Sequence, residues 1–252
     1  MSSTTRKPLI IVPATNPPSD ISKSAVFIFL HGLGDDAEGV ESIPHTFQTA
    51  NKLPHLSWIL PNAPHNHDLN LAAWYLPTNL SPNPPSRPEL EDEEDEQGIT
   101  TTISYITTLI DEQVASGIPP HRIVLGGFSQ GHAIALLTGL VSSKYAGRLG
   151  GLVGLSGYLP LVDRIGGLRR AAGLLEKVDG GENVEVFLAR GTRDMLVPKR
   201  YLALCEKTFL GLGIAPEKLT VKAYEGMGHV IRGDELSDLC RWLEKVVPPV
   251  VG

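Results

Sequence analysis

The run Gly127-Phe128-Ser129-Gln130-Gly131 contains the residue types that a nucleophilic serine requires. A serine hydroxyl attacks a carbonyl carbon efficiently when a base removes its proton and nearby N–H groups stabilise the resulting oxyanion. Small residues on both sides let a serine sit on a sharp turn between a strand and a helix. The five-residue pattern also arises by chance, so its meaning depends on the elements around it.

Those elements fit a nucleophile. Ile123-Val124-Leu125 before the run is typical of a buried strand, and residues 132–137 after it are typical of a helix. Such a turn exposes the Ser129 hydroxyl at the carboxyl edge of a sheet, beside a helix N-terminus that favours negative charge. We therefore predict that Ser129 is a nucleophile. The alternative is a glycine-rich turn with an incidental serine.

The base must come from the two histidines that follow Ser129 in the chain, His132 and His229. His132 lies three residues further along the same predicted helix and would point away from the serine. His229 lies in a glycine-rich loop directly after the predicted strand Thr220–Tyr224. We predict that His229 is the base, because the base of such a site follows a late strand.

The acid that orients this base is expected between the serine and the histidine in the chain, after a strand. Asp194 lies in a loop that follows the predicted strand Val184–Ala189, and we predict that it is the acid. Three rivals fit less well, since two do not directly follow a strand and the third is too close to His229 along the chain: Asp163, Asp179 and Glu225.

Two backbone N–H groups should hold the oxyanion. One is the amide of Gln130, the residue after the nucleophile. The other is predicted to be the amide of Leu33, in the glycine-rich loop after the strand Ala25–Leu30. His31 is expected to support that loop.

Short apolar runs alternate with helical stretches along the whole chain, which predicts a single α/β domain over residues 1–252 with a mostly parallel central sheet and helices on both faces. The expected strands are Leu9–Val12, Ala25–Leu30, Ser57–Leu60, Ile123–Leu125, Leu152–Leu155, Val184–Ala189 and Thr220–Tyr224. Residues 61–97 interrupt the rhythm. We interpret Pro61–Leu80 as a loop over the active site and Ser81–Gln97 as a mobile, solvated, acidic surface loop.

Composition excludes several functions. The net charge is -6, and seven acidic groups fall within residues 89–96, so no basic surface is predicted to bind nucleic acid. No apolar run reaches the ~20 residues that span a bilayer, and no secretion or lipidation signal is found.

Cys205 and Cys240 are expected to be buried thiols. The segment His65-Asn66-His67-Asp68 lacks a third fixed ligand, so we predict no metal and no cofactor.

With these residues placed, the chain resembles the acyl-protein thioesterases, in the lysophospholipase/carboxylesterase family of α/β-hydrolases. The resemblance runs from about Ile11 to Pro249. It rests on six blocks in the same order, which are Phe29-Leu30-His31-Gly32-Leu33-Gly34-Asp35, Leu60-Pro61-Asn62-Ala63-Pro64, Leu125-Gly126-Gly127-Phe128-Ser129-Gln130-Gly131, Leu155-Ser156-Gly157-Tyr158-Leu159-Pro160-Leu161, Asp194-Met195-Leu196-Val197-Pro198 and Tyr224-Glu225-Gly226-Met227-Gly228-His229.

The resemblance implies the same triad and oxyanion pair, and an apolar acyl channel to which Leu33, Trp74, Tyr158 and Leu196 contribute. Two residues depart from the family pattern. His132 replaces a second glycine after the nucleophile and is expected to crowd or polarise the mouth of the site. Tyr158 stands where many members carry Trp, which is expected to alter the channel.

The sequence thus predicts a cytoplasmic serine hydrolase that cleaves acyl thioesters or esters, with depalmitoylation of S-acylated proteins as the main hypothesis. A carboxylesterase or lysophospholipase that uses the same triad on small esters or lysolipids is the close alternative. A binding protein that keeps the fold without turnover is the alternative of another class. No stable membrane insertion is expected, while transient contact with a membrane surface and a homodimer are left open.

Overall fold

The computed structural model describes residues 6–67, 69–77, 94–178 and 184–250. In these ranges a seven-stranded sheet has the order β1-β3-β2-β6-β7-β8-β9, and a two-stranded hairpin, β4-β5, lies apart from it. The strands are β1 Ile10–Val12, β2 Ala25–Leu30, β3 Leu56–Leu60, β4 His65–Asn66, β5 Leu71–Ala72, β6 Ile123–Phe128, β7 Gly151–Leu155, β8 Glu185–Gly191 and β9 Leu219–Tyr224. Among the described strands of the large sheet, only β1 pairs antiparallel.

Seven helices of at least four residues are described: α1 Ala37–Val40, α2 Ser42–Thr49, α3 Glu96–Ala115, α4 Gln130–Val141, α5 Ile165–Ala171, α6 Lys199–Leu212 and α7 Gly233–Val246. The apolar side chains of α3 to α6 share one buried cluster, and those of α1, α2 and α7 share another. Within β2, Val26 and Ile28 belong to the first cluster and Phe27 and Phe29 to the second. Alternation along a fully buried strand places the two clusters on opposite faces of the sheet. The predicted fold class, with helices on both faces, is confirmed.

The chain around residues 61–97 is more ordered at both ends than its composition predicts. The hairpin β4-β5 occupies part of Pro61–Leu80. At the other end, the acidic loop was predicted to extend to Gln97, but α3 already begins at Glu96. Asp95 caps this helix, because its carboxylate accepts the Gly98 N–H. Residues 78–93, which hold most of the acidic run, lie outside the described residues.

Cys205 on α6 and Cys240 on α7 are buried and free, as predicted. Within the described ranges, no helix combines the length and apolarity that crossing a bilayer requires.

Candidate active site

Ser129 lies on the turn between β6 and α4, with a φ of 54° and a ψ of -115°. A non-glycine residue with this positive φ is strained, and the surrounding backbone holds it there. The Ser129 N–H donates to the Leu155 carbonyl at 2.9 Å. A Cβ on Gly127 would lie 2.4 Å from the Gly131 carbonyl carbon, and one on Gly131 would lie 2.3 Å from the Leu30 oxygen. Both flanks must therefore be glycine for the turn to form.

His229, in the loop after β9, lies against this serine. Its Nδ1 is 2.8 Å from Asp194 Oδ2, and its Nε2 is 3.0 Å from Ser129 Oγ. An ionised carboxylate only accepts hydrogen bonds, so Nδ1 carries the proton and Nε2 is free to accept the serine O–H. The imidazole also packs on the Phe128 ring, with centroids 4.8 Å apart. The three residues predicted as a triad are thus joined in one chain of hydrogen bonds.

Asp194 is fixed from both sides of its carboxylate. Its side chain is fully buried, and Oδ1 accepts the N–H groups of Leu196 and Val197 at 3.0 and 2.8 Å. Burial alone would raise the pKa of Asp194, but the bonds from His229 and from these two amides hold it below its usual value. The carboxylate therefore stays charged and keeps the imidazole in one orientation.

The rivals for the acid lie elsewhere. Asp163 is in a single turn before α5, and Glu225 is exposed. Asp179 falls outside the described residues.

Gln130 is the first residue of α4, so its amide is one of the four that a helix leaves without an internal acceptor. Its side chain has a second role that the sequence did not reveal. Oε1 accepts the Trp74 N–H at 2.7 Å, and Nε2 donates to the Tyr75 carbonyl at 2.8 Å. The residue beside the nucleophile therefore anchors the segment that follows the β4-β5 hairpin.

Leu33 lies in the turn between β2 and α1, close to the serine. A Cβ on the preceding Gly32 would be 3.4 Å from the Ser129 Cβ, which shows how near this loop passes. Gly34 has a φ of 78° and donates its N–H to the Ala72 carbonyl at 2.8 Å, so it ties the loop to β5. The two backbone segments predicted to form an oxyanion hole thus flank Ser129.

His31 supports this loop, as expected. Its Nδ1 donates to the Gly32 carbonyl at 2.7 Å, and its Nε2 accepts the Ala63 N–H at 3.1 Å. Burial lowers the pKa of His31, although the bond to Gly32 acts in the opposite direction. The neutral ring is the form that both bonds require.

Besides Leu33, three residues are expected to line the acyl channel, and they differ in exposure. Leu196, next to the Asp194 loop, is 73% exposed. Tyr158 is half-buried, and its ring lies 5.6 Å from that of Tyr201. Trp74 is only 1% exposed, and its indole N–H donates to the His31 carbonyl at 2.9 Å. In this structure Trp74 supports the loop under the site and offers almost no surface to a substrate.

The expectation that His132 crowds or polarises the mouth of the site is wrong. The side chain is only 1% exposed and packs towards β7, where a Cβ on Gly154 would lie 2.6 Å from its Cε1. Its Nε2 is 3.8 Å from Cys205 Sγ. Burial lowers the pKa of His132 to about 3, so the ring is neutral and structural.

Sequence reasoning also missed Arg190, the buried residue near the end of β8. Its guanidinium donates to the carbonyls of Asp194 and Val197, at 3.2 and 3.1 Å, and so braces the loop that carries the acid. An arginine in a largely apolar strand is the signal that could have pointed to it, since buried cations require partners.

The described residues contain no group of three or more His, Cys, Asp or Glu side chains that could hold a metal ion. His65 and His67 lie with ring centroids 5.3 Å apart, and Asp68 is outside the described residues.

The sequence profile of the phospholipase/carboxylesterase family matches residues 13–247. The chain belongs to this family. It is therefore a serine hydrolase, and the triad geometry fits that class.

Within the family, two fungal relatives are both named acyl-protein thioesterase 1. The one from Yarrowia lipolytica is 32% identical over 92% of this chain and 96% of its own length. The one from Gibberella zeae is 33% identical over 92% and 94%. Among solved structures, Zea mays acyl-protein thioesterase 2 is similar with a TM-score of 0.75 and 23% identity, covering 95% of this chain and 99% of its own. Arabidopsis thaliana SOBER1 gives a TM-score of 0.72 and 24% identity over 89% and 99%. These two structures support the fold.

Proposed function

We propose that this protein cleaves acyl thioesters of S-acylated proteins by two-step acyl transfer, with Ser129 as nucleophile, His229 as base and Asp194 as the acid that orients it. The observation that carries the proposal is the chain of hydrogen bonds from Ser129 Oγ through His229 to Asp194, at 3.0 and 2.8 Å. The names of the fungal relatives favour a thioester substrate.

In the first step His229 Nε2 removes the proton from Ser129 Oγ as the oxygen attacks the carbonyl carbon. Asp194 keeps the second proton on Nδ1 and stabilises the imidazolium. The amides of Leu33 and Gln130 hold the oxyanion. The imidazolium then protonates the departing thiolate and leaves an acyl-serine. In the second step His229 activates a water that releases the fatty acid. No cofactor takes part.

Ser129→Ala tests the assignment. We expect this variant to lose both labelling by a fluorophosphonate and hydrolysis of an S-palmitoyl peptide, because the attacking oxygen is removed. Retention of either activity would exclude Ser129 as nucleophile. The alternative that the fold binds an acyl ligand without turnover predicts instead that no acyl-enzyme forms in the unaltered protein with any substrate.

The family description, phospholipase/carboxylesterase, favours a second candidate function, hydrolysis of small esters or lysolipids by the same residues. The two functions are separated by measuring, with one enzyme preparation, the turnover of an S-palmitoyl peptide, a lysophospholipid and short p-nitrophenyl esters. A kcat/KM for the peptide below that of the small esters would favour the second function.

We further propose a cytoplasmic location, transient contact with membrane surfaces and a homodimer. Two free, buried cysteines fit a reducing compartment. Met195 and Leu196, 86% and 73% exposed beside the acid, offer an apolar rim to a lipid surface or to a second copy. Cell fractionation, co-sedimentation with lipid vesicles and analytical ultracentrifugation test the three in turn. A monomer at all concentrations would exclude the dimer.

A further inference from the structure

Glu94, the last residue before the α3 cap, contacts the segment that follows β7. Its Oε2 accepts the Leu161 N–H at 2.5 Å. Leu161 has a φ of 54°, an unfavourable value for a residue with a side chain, so this bond stabilises a strained turn. The Tyr158 hydroxyl also lies within reach of this carboxylate, which can accept a hydrogen bond from it. One side chain from the acidic stretch therefore fixes both ends of the segment 158–161.

Further hydrogen bonds link this contact to the active site. The Tyr75 hydroxyl donates to the Tyr158 hydroxyl at 2.9 Å, and the Tyr75 carbonyl accepts the Gln130 side chain at 2.8 Å. A Cβ on Gly157, the residue before Tyr158, would lie 2.6 Å from the Ser129 carbonyl oxygen. Tyr158 is thus joined to the residues around the nucleophile on one side and to Glu94 on the other.

The carboxylate fixes which group donates and which accepts in this row of hydrogen bonds. A carboxylate only accepts, so the Tyr158 O–H must donate to Glu94, and the Tyr158 oxygen is then free to accept from Tyr75. An amide at position 94 has one accepting and one donating end. Its neutral oxygen is a weaker acceptor than a carboxylate oxygen, and its NH2 end cannot accept at all, so the bonds to Leu161 and Tyr158 would be weakened or broken.

We propose that Glu94 is a positioning residue that sets the acyl-chain preference of the enzyme by locking the Tyr158 ring against the site. This inference rests on the proposed function and on the acyl channel that the family resemblance implies, to which Tyr158 contributes. Long chains that reach the ring depend on its fixed position. A two-carbon acetyl group offers almost no chain for the ring to contact. Loss of the carboxylate should therefore lower kcat/KM for long-chain substrates more than for short-chain ones.

The experiment compares kcat/KM for p-nitrophenyl dodecanoate and p-nitrophenyl acetate in Glu94→Gln and in the unaltered chain. We expect the ratio of the long to the short ester to fall about tenfold, mainly through KM, because one charge-assisted hydrogen bond is lost. Tyr158→Phe removes the same bond from its other end without touching the Leu161 amide, and should give a similar fall. The double variant should lose less than the sum of the two single effects, since both single variants remove the bond between Glu94 and Tyr158.

Glu96→Gln is the matched control. It makes the same change of charge two residues away, in an exposed ion pair with Arg164, and should leave the ratio unchanged. An unchanged ratio in Glu94→Gln, or effects of the two single variants that add in full, would overturn the proposal. Fluorophosphonate labelling and acetate turnover of the unaltered chain test the proposed function separately, so the two failures are distinguishable.

Discussion

At the scale of single residues, the site depends on groups held in one protonation state by their neighbours. Asp194 is kept charged by three donors, and His31 is kept neutral by burial. Neither residue has to change its state for Ser129 to react. His229 is the member of the hydrogen-bonded triad that both takes up and returns protons in the proposed cycle, which is the division of roles that a serine, histidine and aspartate chain requires.

Asp194→Asn should separate orientation from charge. The asparagine oxygen can still accept the amides of Leu196 and Val197, but its NH2 group then faces His229 Nδ1. The imidazole would move its proton to Nε2 and could no longer accept from Ser129. We expect kcat to fall by on the order of 10³ to 10⁴, measured with a p-nitrophenyl ester.

An unchanged melting temperature in Asp194→Asn would show that the loss is catalytic. If kcat stayed within tenfold of the unaltered enzyme, the role given to Asp194 would be wrong.

At the scale of elements, the sequence predicted what depends on local pattern. All seven strands of the large sheet lie where apolar runs predicted them, and the Ser129 turn lies between the predicted strand and helix. The pattern could not show contacts between distant segments. The side chain of Gln130 binds residues 74 and 75, and Glu94 binds residues 158 and 161, across separations that no periodicity encodes.

His132 illustrates the same limit. Its position next to Gly131 in the chain suggested the mouth of the site. The helical turn carries its side chain instead towards Gly154 and Cys205. Whether a residue near a nucleophile faces the substrate or the core depends on what packs against the first turn of α4, which only the tertiary structure decides.

The packing of α4 on β2 leads to a prediction for Gly131→Ala. The added methyl group would stand 2.3 Å from the Leu30 oxygen and 2.7 Å from the His31 oxygen. Both are backbone atoms, so the helix must shift away and carry Ser129 and the Gln130 amide with it. We expect activity to fall at least about 100-fold, since a misplacement of about 1 Å costs that much, together with a lower melting temperature.

Gly211→Ala is the control for this helix substitution. Gly211 lies in α6, and the methyl group added there would meet no atom within 4 Å among the described residues outside its own helix turn. The change should therefore stabilise the protein by about 0.5 to 1 kcal/mol through helix propensity and leave activity intact. Full activity in Gly131→Ala would contradict the tight packing of the turn.

At the scale of the whole molecule, two buried groups give stability opposite dependences on pH. Burial lowers the pKa of His132 to about 3, so the folded state resists a proton that the unfolded chain binds below about pH 6.5. This contribution is complete above pH 6.5 and is lost as the pH falls. Compared with His132→Asn, the unaltered protein should lose about 2 kcal/mol of unfolding free energy between pH 7 and pH 5, measured by urea denaturation. Parallel curves for the two proteins would contradict a neutral, buried His132.

Glu235, in the first turn of α7, acts in the other direction. Its side chain is fully buried, and burial raises its pKa to about 8, with the charge of Asp234 acting in the same sense. The folded state therefore holds a proton that the unfolded chain releases above about pH 4.3. Its contribution to stability is present at low pH and is lost as the pH rises through 8.

Glu235→Gln keeps the shape and removes the titration, so urea denaturation should show the unaltered protein losing about 3 kcal/mol relative to this variant between pH 5 and pH 8. Asp234→Asn, which changes an exposed acid one residue away, should give a much smaller difference, because its pKa already lies below this range. A constant gap between the unaltered protein and Glu235→Gln at all pH values would mean that Glu235 is ionised in the fold.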